Sequence, residues 1–339
     1  MSTTIAFAGV AHIHTPGFIS MLKKRPEVKV ARVYDPHPLK AERRAAELGA
    51  AVSTVDQIAG DPSIQGVVIC SETNRHVELV EKFAKAGKHL FVEKPLGMAA
   101  DDSYAMADAI EKAGVAFQTG YFMRGFADVQ MLRKLVQDGS LGKITRARAS
   151  NCHTGSLGGW FDDRPDAPEN TWLWMTDLKQ SGVGAFGDLG THVLDILIWI
   201  LGDVQAVTGQ IDPVTARYPG CDESGEALVR FKNGAIATLA AGWVDHADPV
   251  KFLVSGTEGH AAIIDGKLQV VSKKLATFDG TGAVRSSEMP KSWPHAFELF
   301  LDKLAGKDVT LVGAREAAYR SAVMSAIYKA AATNSWVNI

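Results

Sequence analysis

Residues that could together move a proton and stabilise an alkoxide stand at two separated places in this sequence. The segment Ala185–Asp195 is typical of the start of an apolar helix and carries Asp188 and His192. Their i, i+4 spacing puts both side chains on one helix face, where a carboxylate can orient an imidazole for proton transfer. Far upstream, Lys94 follows a strand-like segment and could add a cation to the same site. The alternative is that this pair marks a capped helix start, with His192 as a core histidine whose hydrogen bonds are satisfied.

The secondary-structure elements that position these residues follow one pattern in the first part of the chain and another in the second. The first ~120 residues alternate strand and helix signals, which predicts a doubly wound parallel sheet with helices on both faces. We expect His14 or Thr15 to cap the first helix, with Pro16 at its first position, and the second helix to stop at Gly49.

Strand-like segments dominate from Ile144 onward, which predicts an α+β region with a large, mainly antiparallel open sheet. The tripeptide Lys232–Gly234 is a hairpin turn signal between two such segments. We therefore predict a first domain over 1–122 and a second, α+β domain over 123–339, whose last helices can pack back on the first.

A partial dinucleotide fingerprint follows the first strand. Gly9 supplies the tight turn, but Ala11 and His14 replace the second and third glycines of Gly-x-Gly-x-x-Gly. Asp35 follows the second strand, where an acid can bind both ribose hydroxyls of NAD and repel a 2′-phosphate. The motif predicts NAD in preference to NADP, and the alternative is a solvated turn acid at Asp35.

A second turn faces the same carboxyl edge of the predicted sheet. Ser71 and Thr73 either contact cofactor hydroxyls there or cap the following helix, and capping is the expected role of Asn74.

Composition excludes several classes of partner and site. The chain has 339 residues, 46% of them hydrophobic, and a net charge of -2, which disfavours nucleic acid and anionic membranes as partners. No uninterrupted apolar run approaches the ~20 residues of a membrane span. Cys70, Cys152 and Cys221 lie far apart and predict reduced thiols. With no targeting signal recognised, the expectation is a cytoplasmic protein.

Three segments carry a resemblance to a known family: Glu93–Pro95, Gly120–Arg124 and Gly182–His192. The sequence resembles the glucose–fructose oxidoreductase, inositol dehydrogenase and rhizopine-catabolism (GFO/IDH/MocA) family of NAD(P)-dependent sugar oxidoreductases over essentially its whole length. The resemblance implies a dinucleotide-binding Rossmann domain over 1–122. It also implies a substrate-binding and oligomerisation domain over 123–339, whose open sheet forms homodimers or homotetramers. It also implies a cis peptide before Pro95. Val183 and Gly187 depart from the family pattern and could alter the shape of the pocket.

The resemblance also implies that Lys94, Asp188 and His192 are catalytic. We expect hydride transfer between the cofactor and a secondary alcohol or ketone of a sugar, inositol or related polyol. In this scheme His192 takes the proton, Lys94 stabilises the alkoxide, and Asp188 binds a substrate hydroxyl, Lys94 or both.

Further candidates complete the predicted site. The backbone N–H groups of Ala11, His12 and Ile13 are expected to bind the pyrophosphate. The predicted cofactor-binding residues are Gly9, Ala11, His12, Ile13, Asp35, Ser71, Thr73, Asn74, His76, Glu93, Lys94 and Arg124. The predicted substrate-binding residues are Lys94, Tyr121, Arg124, His153, Trp174, Asp188 and His192.

Two other functions compete with this hypothesis. One is a sugar-sensing protein of the same fold without catalysis, since fold does not fix function. The other is a metal-dependent hydrolase or isomerase, in which His12 and His14 pair as metal ligands and Asp188, His192 and Asp195 complete the site. In the dehydrogenase hypothesis no metal is expected, and Asp195 either braces His192 or is an ordinary solvated or capped acid.

Overall fold

The computed structural model describes residues 3–164, 167, 171–275 and 286–339. The chain divides into two compact units, and each is assembled from three stretches of sequence. The first unit comprises residues 1–121, 160–182 and 294–322, and the second comprises 122–159, 183–293 and 323–339.

The strands of the described residues fall into two sheets. In chain order they are β1 (Thr3–Val10), β2 (Val28–Tyr34), β3 (Ala51–Val52), β4 (Gly66–Cys70), β5 (His89–Val92), β6 (Phe117–Thr119), β7 (Ile144–Cys152), β8 (Val204–Asp212), β9 (Ser224–Phe231), β10 (Ile236–Gly242), β11 (Val250–Gly256), β12 (Gly259–Ile264), β13 (Lys267–Ser272) and β14 (Val337–Asn338).

Helices pack around both sheets. They are α1 (Thr15–Leu22), α2 (Pro38–Leu48), α3 (Val55–Gly60), α4 (His76–Lys85), α5 (Ala100–Ala113), α6 (Ala127–Gln137), α7 (Leu178–Ser181), α8 (Ala185–Leu201), α9 (Ala296–Leu304) and α10 (Ala314–Thr333).

The sheet of the first unit is parallel throughout, in the order β3-β2-β1-β4-β5-β6. This is the doubly wound order in which ligands bind where the strand order reverses, at the carboxyl ends of β1 and β4. The predicted Rossmann-type sheet is confirmed.

Local chemistry sets the ends of several helices in the first unit. Gly49 adopts a left-handed φ of 62° and ends α2, as the sequence predicts. Thr54 and Gln57 form a reciprocal capping box at the start of α3. His14 occupies the N-cap position of α1 but makes no capping bond with its side chain, so that part of the expectation is wrong.

Aromatic packing ties a late segment of the chain to the first unit. The ring of Phe297 in α9 stacks on Phe18 of α1, with centroids 4.6 Å apart, and meets Phe91 of β5 edge-on at 5.3 Å. All three side chains are buried, and burial of an aromatic side chain contributes roughly 1.5–3 kcal/mol. Helix α9 is therefore part of the first core.

The sheet of the second unit has eight strands in the order β13-β12-β11-β7-β10-β9-β8-β14. Its described pairs are antiparallel except β7 with β10, which is parallel. Lys232–Gly234 joins β9 and β10 as the predicted hairpin. The mainly antiparallel sheet is thus confirmed.

Helix α8 is the core helix of the second unit. Every residue of it except Trp199 is buried, and it packs on β7, β9 and β10. The stretch Leu178–Leu201 is long and apolar enough to cross a membrane by length and composition, but its most apolar part is 94% buried within the fold. A helix that is apolar all round is typical of a protein core.

Candidate functional site

Helix α8 presents Asp188 and His192 from successive turns. Asp188 is 8% exposed and His192 3% exposed. The indole N–H of Trp243 donates to Asp188 Oδ2 at 3.3 Å, and the ring of Phe122 lies 5.0 Å from that of His192. Both side chains are therefore held by neighbours within the second unit, in a largely dehydrated setting where charge interactions are strong.

The two departures from the family pattern, Val183 just before α8 and Gly187 in its first turn, lie against each other. A Cβ on Gly187 would lie 2.3 Å from Cβ of Val183. The valine therefore fills the space that a larger residue at position 187 would take, and the two changes compensate each other.

Arg124 and Asp195 form a buried ion pair through two hydrogen bonds, one of them at 2.7 Å. The guanidinium also lies over the ring of Trp199, 5.3 Å from its centroid. A bidentate pair of this kind fixes both side chains. Asp195 is buried and faces Arg124, so it is not an ordinary solvated acid, and the brace to His192 stays a prediction.

His153 follows β7 and closes a local turn. Its Nδ1 accepts the Gly155 N–H at 2.9 Å, and its own N–H donates to the Gly242 carbonyl at 3.0 Å. Its predicted contact with substrate stays a prediction.

Glu93 and Lys94 directly follow β5 in the first unit, and the Lys94–Pro95 peptide is cis, as the resemblance implies. Lys94 is 2% exposed and Glu93 is fully buried. The Lys94 N–H donates to Glu93 Oε2 at 2.9 Å. A Cβ on Gly120 would lie 2.8 Å from the same oxygen, so the residue before Tyr121 must be small.

Two histidines of the loop after β1 face Glu93, an arrangement that sequence spacing does not reveal. His14 Nδ1 lies 3.2 Å from Glu93 Oε1, and His12 Nε2 lies 3.9 Å from Oε2. Burial opposes ionisation, but His14, His12 and the charge of Lys94 hold the pKa of Glu93 well below its ordinary value. Glu93 is therefore a buried anion at physiological pH.

The geometry of these histidines bears on the metal hypothesis. One ligand atom each from His12, His14 and Glu93 lies within 4.8 Å of the others, close enough to consider a metal ion. However, His12 Nδ1 accepts the His14 N–H at 3.2 Å, which places the proton of a neutral ring on Nε2, the atom that faces Glu93. Asp195, one of the residues offered to complete the site in that hypothesis, is paired with Arg124. The two sheets also differ from a barrel of eight parallel strands.

Gly9 and Asp35 lie where a dinucleotide would approach the first sheet. Gly9 has a φ of 85°, and a Cβ there would lie 2.4–2.6 Å from Ser71 atoms, so only glycine fits. Asp35 accepts the Val10 N–H at 2.8 Å and the His37 N–H at 2.9 Å. Asp35 thereby fixes the loop after β1 as well as its own turn, and its oxygens keep lone pairs for hydroxyl groups.

Several predicted cofactor contacts already have partners in the first unit. The His12 N–H donates to the Cys70 carbonyl at 2.9 Å, so the predicted use of this amide for the pyrophosphate needs correction. The imidazole Nδ1 of buried His76 lies 2.9 Å from the Leu96 carbonyl. The Asn74 amide donates to the Lys179 carbonyl rather than capping a helix.

Ser71, Thr73, Ile13 and Trp174 complete the predicted set in this unit. Ser71 and Thr73 are buried at the carboxyl end of β4, where Ser71 Oγ donates to the Glu72 carbonyl at 3.1 Å. Ile13 is half-buried in the loop after β1. The Trp174 indole N–H donates to the Ala11 carbonyl at 3.0 Å, which fixes this aromatic ring against that loop.

Comparison with known families covers most of both units. Residues 3–121 match the model described as oxidoreductase family, NAD-binding Rossmann fold, and residues 129–262 match the GFO/IDH/MocA C-terminal domain. The chain belongs to the GFO/IDH/MocA family. This confirms the family predicted from the sequence, together with its NAD-binding domain and its oxidoreductase class.

Curated relatives of this GFO/IDH/MocA protein act on several sugars. It is 27% identical to levoglucosan dehydrogenase of Pseudarthrobacter phenanthrenivorans, over 69% of this chain and 65% of that one. It is also 27% identical to 1,5-anhydro-D-fructose reductase of Ensifer adhaerens, over 88% of both chains. A solved structure of levoglucosan dehydrogenase with NADH and levoglucosan superposes with a TM-score of 0.84 at 22% identity, covering 100% of both chains. This last likeness shows the shared fold.

Proposed function

We propose that this protein transfers hydride between NAD and a secondary alcohol or ketone of a sugar, inositol or related polyol. The observation that carries the proposal is the buried pair of Asp188 and His192 on one face of α8, in a chain whose first unit is an NAD-binding Rossmann domain. An acid beside an imidazole in a dry environment suits proton transfer to or from a hydroxyl group.

The residues at the carboxyl edge of the first sheet fit NAD. Gly9 lets the loop turn closely past Ser71, and the Asp35 carboxylate can accept ribose hydroxyls while repelling a 2′-phosphate. We assign the pyrophosphate to the amides of Ala11 and Ile13, since the His12 amide is engaged. Ser71 and Thr73 lie at the end of β4 for further hydroxyl contacts. NAD, when bound, supplies the hydride acceptor.

The protein's own groups handle the proton. His192 takes the proton of the substrate hydroxyl, a role for which an imidazole is suited. The Lys94 ammonium stabilises the negative charge that develops on the same oxygen, an effect that grows as water is excluded. Asp188 binds a neighbouring substrate hydroxyl, Lys94 or both.

Four further residues are proposed to bind or orient the sugar: Tyr121, Arg124, His153 and Trp174. The Trp174 ring is held by its bond to Ala11, so a fixed aromatic face is available for the C–H face of a sugar ring. We propose that Arg124 binds the sugar in one orientation, because its guanidinium is held by Asp195.

Steady-state assays test this proposal. Purified protein is mixed with NAD or NADP and a panel of levoglucosan, 1,5-anhydro-D-fructose (with NADH or NADPH), inositols and aldoses, and reduced nicotinamide is followed by absorbance. We expect turnover with at least one sugar and a preference for NAD. Lys94→Met should lower kcat and raise KM for the sugar. Failure of every sugar with both cofactors, alongside normal NADH binding, would favour the sugar-sensing alternative.

We also propose a cytoplasmic location. Cys70, Cys152 and Cys221 form no disulfide among the residues that the structure describes. Burial raises the pKa of the Cys152 thiol to about 11 and that of Cys221 to about 12, which makes these groups unreactive. Reduced, inert thiols suit a reducing compartment.

A further inference from the structure

The start of α8 is held by a side chain from a distant loop. The first N–H groups of a helix lack partners inside it and need acceptors from elsewhere. Asp222 supplies them: Oδ2 accepts from the Phe186 N–H at 2.8 Å and Oδ1 from the Gly184 N–H at 3.2 Å. The main-chain carbonyl of Asp222 accepts from the Ala185 N–H at 3.1 Å. One residue therefore satisfies three successive amides.

Tyr328 of α10 completes this arrangement. Its hydroxyl accepts from the Gly187 N–H at 3.0 Å and shares the Gly184 N–H at 3.2 Å. The same hydroxyl donates to Asp222 Oδ1 at 3.0 Å. A phenol has one donor and two acceptor positions, so all three are used here. We call Asp222 and Tyr328 the α8 clamp.

Burial and charge keep the Tyr328 hydroxyl protonated. Burial and the charge of Asp222 raise the pKa of Tyr328 well above its ordinary value, so the phenol remains a donor. Burial raises the pKa of Asp222 as well, although the bonds from Phe186, Tyr328 and Gly184 oppose this. An anion at a helix N-terminus is also favoured by the helix dipole.

Close approach at Gly184 shows how tightly the clamp fits. A Cβ on Gly184 would lie 2.4 Å from Asp222 Oδ1 and 2.6 Å from its Cγ. Any side chain there would push the carboxylate away from the helix. The glycine is therefore required by the clamp itself.

We propose that Asp222 and Tyr328 are positioning residues that fix the first turn of α8 and thereby orient Asp188 and His192. This inference rests on the proposed function of those two residues. The Asp188 N–H donates to the Gly184 carbonyl at 2.9 Å, so Asp188 lies one helical turn after Gly184, whose own N–H the clamp holds. His192 lies one turn further along the same face. A displacement of ~1 Å at reacting groups can cost ~100-fold in rate, so loosening this turn should slow the reaction.

Tyr328→Phe is the most conservative test, because it removes one hydroxyl and keeps the ring. Tyr104→Phe makes the same chemical change on α5 of the first unit and serves as the control. We expect Tyr328→Phe to lower kcat by ~10- to ~100-fold while the Kd for NADH changes less than about twofold, since NADH binds the first unit. Hydrogen exchange of residues 183–192 should become faster in Tyr328→Phe, with the rest of the chain unchanged. Tyr104→Phe should alter none of these quantities.

Asp222→Asn gives a second variant that removes the charge and one acceptor. It should produce a larger fall in kcat than Tyr328→Phe, with the same local exchange signature.

The outcomes separate this inference from the proposed function. Unchanged exchange at residues 183–192 in Tyr328→Phe, or unchanged kcat despite faster local exchange, overturns the positioning role. Faster exchange throughout the chain indicates a general loss of stability and overturns it too. If the unmodified protein turns over no sugar, the proposed function fails, and the exchange measurement still decides whether the clamp holds α8.

Discussion

At the scale of single residues, the chemistry depends on how much water reaches Asp188 and His192. Both are almost fully buried on a helix that is itself a core element, and Trp243 donates a hydrogen bond to the acid. Dehydrated charges and dipoles interact more strongly than exposed ones, which makes such a pair suited to catalysis.

His192→Ala should lower kcat by ~10²- to ~10⁴-fold, the usual contribution of a general acid–base group. Affinity for NADH, measured by its fluorescence, should stay normal because the cofactor belongs to the first unit. His260→Ala, which removes an exposed imidazole from β12, is the matched control and should keep full turnover. Near-normal kcat in His192→Ala would contradict the assignment.

Side-chain partners were the least predictable part of the site. Asp188 and His192 share a helix period, so the sequence predicts their common face. The pairing of Asp195 with Arg124 joins residues 71 positions apart, and no local pattern encodes it. The same holds for His14 with Glu93 and for Tyr328 with Gly187, separated by 79 and 141 positions. Such contacts follow from tertiary packing.

At the scale of elements, strands, turns and helix ends were predictable where one or two residues determine them. Gly49 ends α2 and Lys232–Gly234 makes a hairpin, because glycine accepts the backbone angles that these turns need. The parallel pairing of β7 with β10 was not predicted, since it joins strands far apart in sequence.

Glycines in two turns should differ in their tolerance of a methyl group. Gly9 and Gly49 both have positive φ, but a Cβ at Gly9 meets Ser71, whereas nothing lies within 4 Å at Gly49. Gly49→Ala should therefore lower the free energy of unfolding by about 1–2 kcal/mol from backbone strain alone. Gly9→Ala should lower the free energy of unfolding by more than Gly49→Ala does, as urea unfolding would show. It should also weaken NADH binding, as fluorescence titration would show. Equal losses in the two variants would contradict this account.

At the scale of the whole molecule, the described residues of the second sheet include exposed apolar side chains on one face. Buried and exposed positions alternate along β9, and Leu228 and Ile236 are 39% and 43% exposed. Apolar residues on a sheet face of this kind are typical of a protein interface. We therefore keep the prediction that this face joins two or four copies of the chain.

Light scattering tests that prediction. The unmodified protein should have the mass of a dimer or tetramer, and Leu228→Glu combined with Ile236→Glu should shift it towards a monomer by placing charges in the interface. Leu39→Glu, at another exposed apolar position, should leave the mass unchanged. A monomeric unmodified protein would contradict the prediction.

Stability of the first unit should fall in mild acid. Burial lowers the pKa of His76, His89 and His295 from the ordinary 6.5, so the unfolded chain takes up protons that the folded chain resists. Their contribution is present above pH 6.5 and is lost as the pH falls towards the lowered values. The unfolding temperature should therefore drop between about pH 7 and about pH 5. His76→Asn should flatten this slope, and a rise in stability over the same interval would be inconsistent with it.

The most direct test of the central claim is the fate of hydrogen on the sugar carbon. A sugar that supports turnover is deuterated at its ring carbons and incubated with the protein and NAD in ordinary water. The mass of the reduced cofactor is then measured by mass spectrometry. Direct hydride transfer predicts that the cofactor gains deuterium stoichiometrically with sugar oxidation. Reduced cofactor that carries only hydrogen from the solvent would contradict the account.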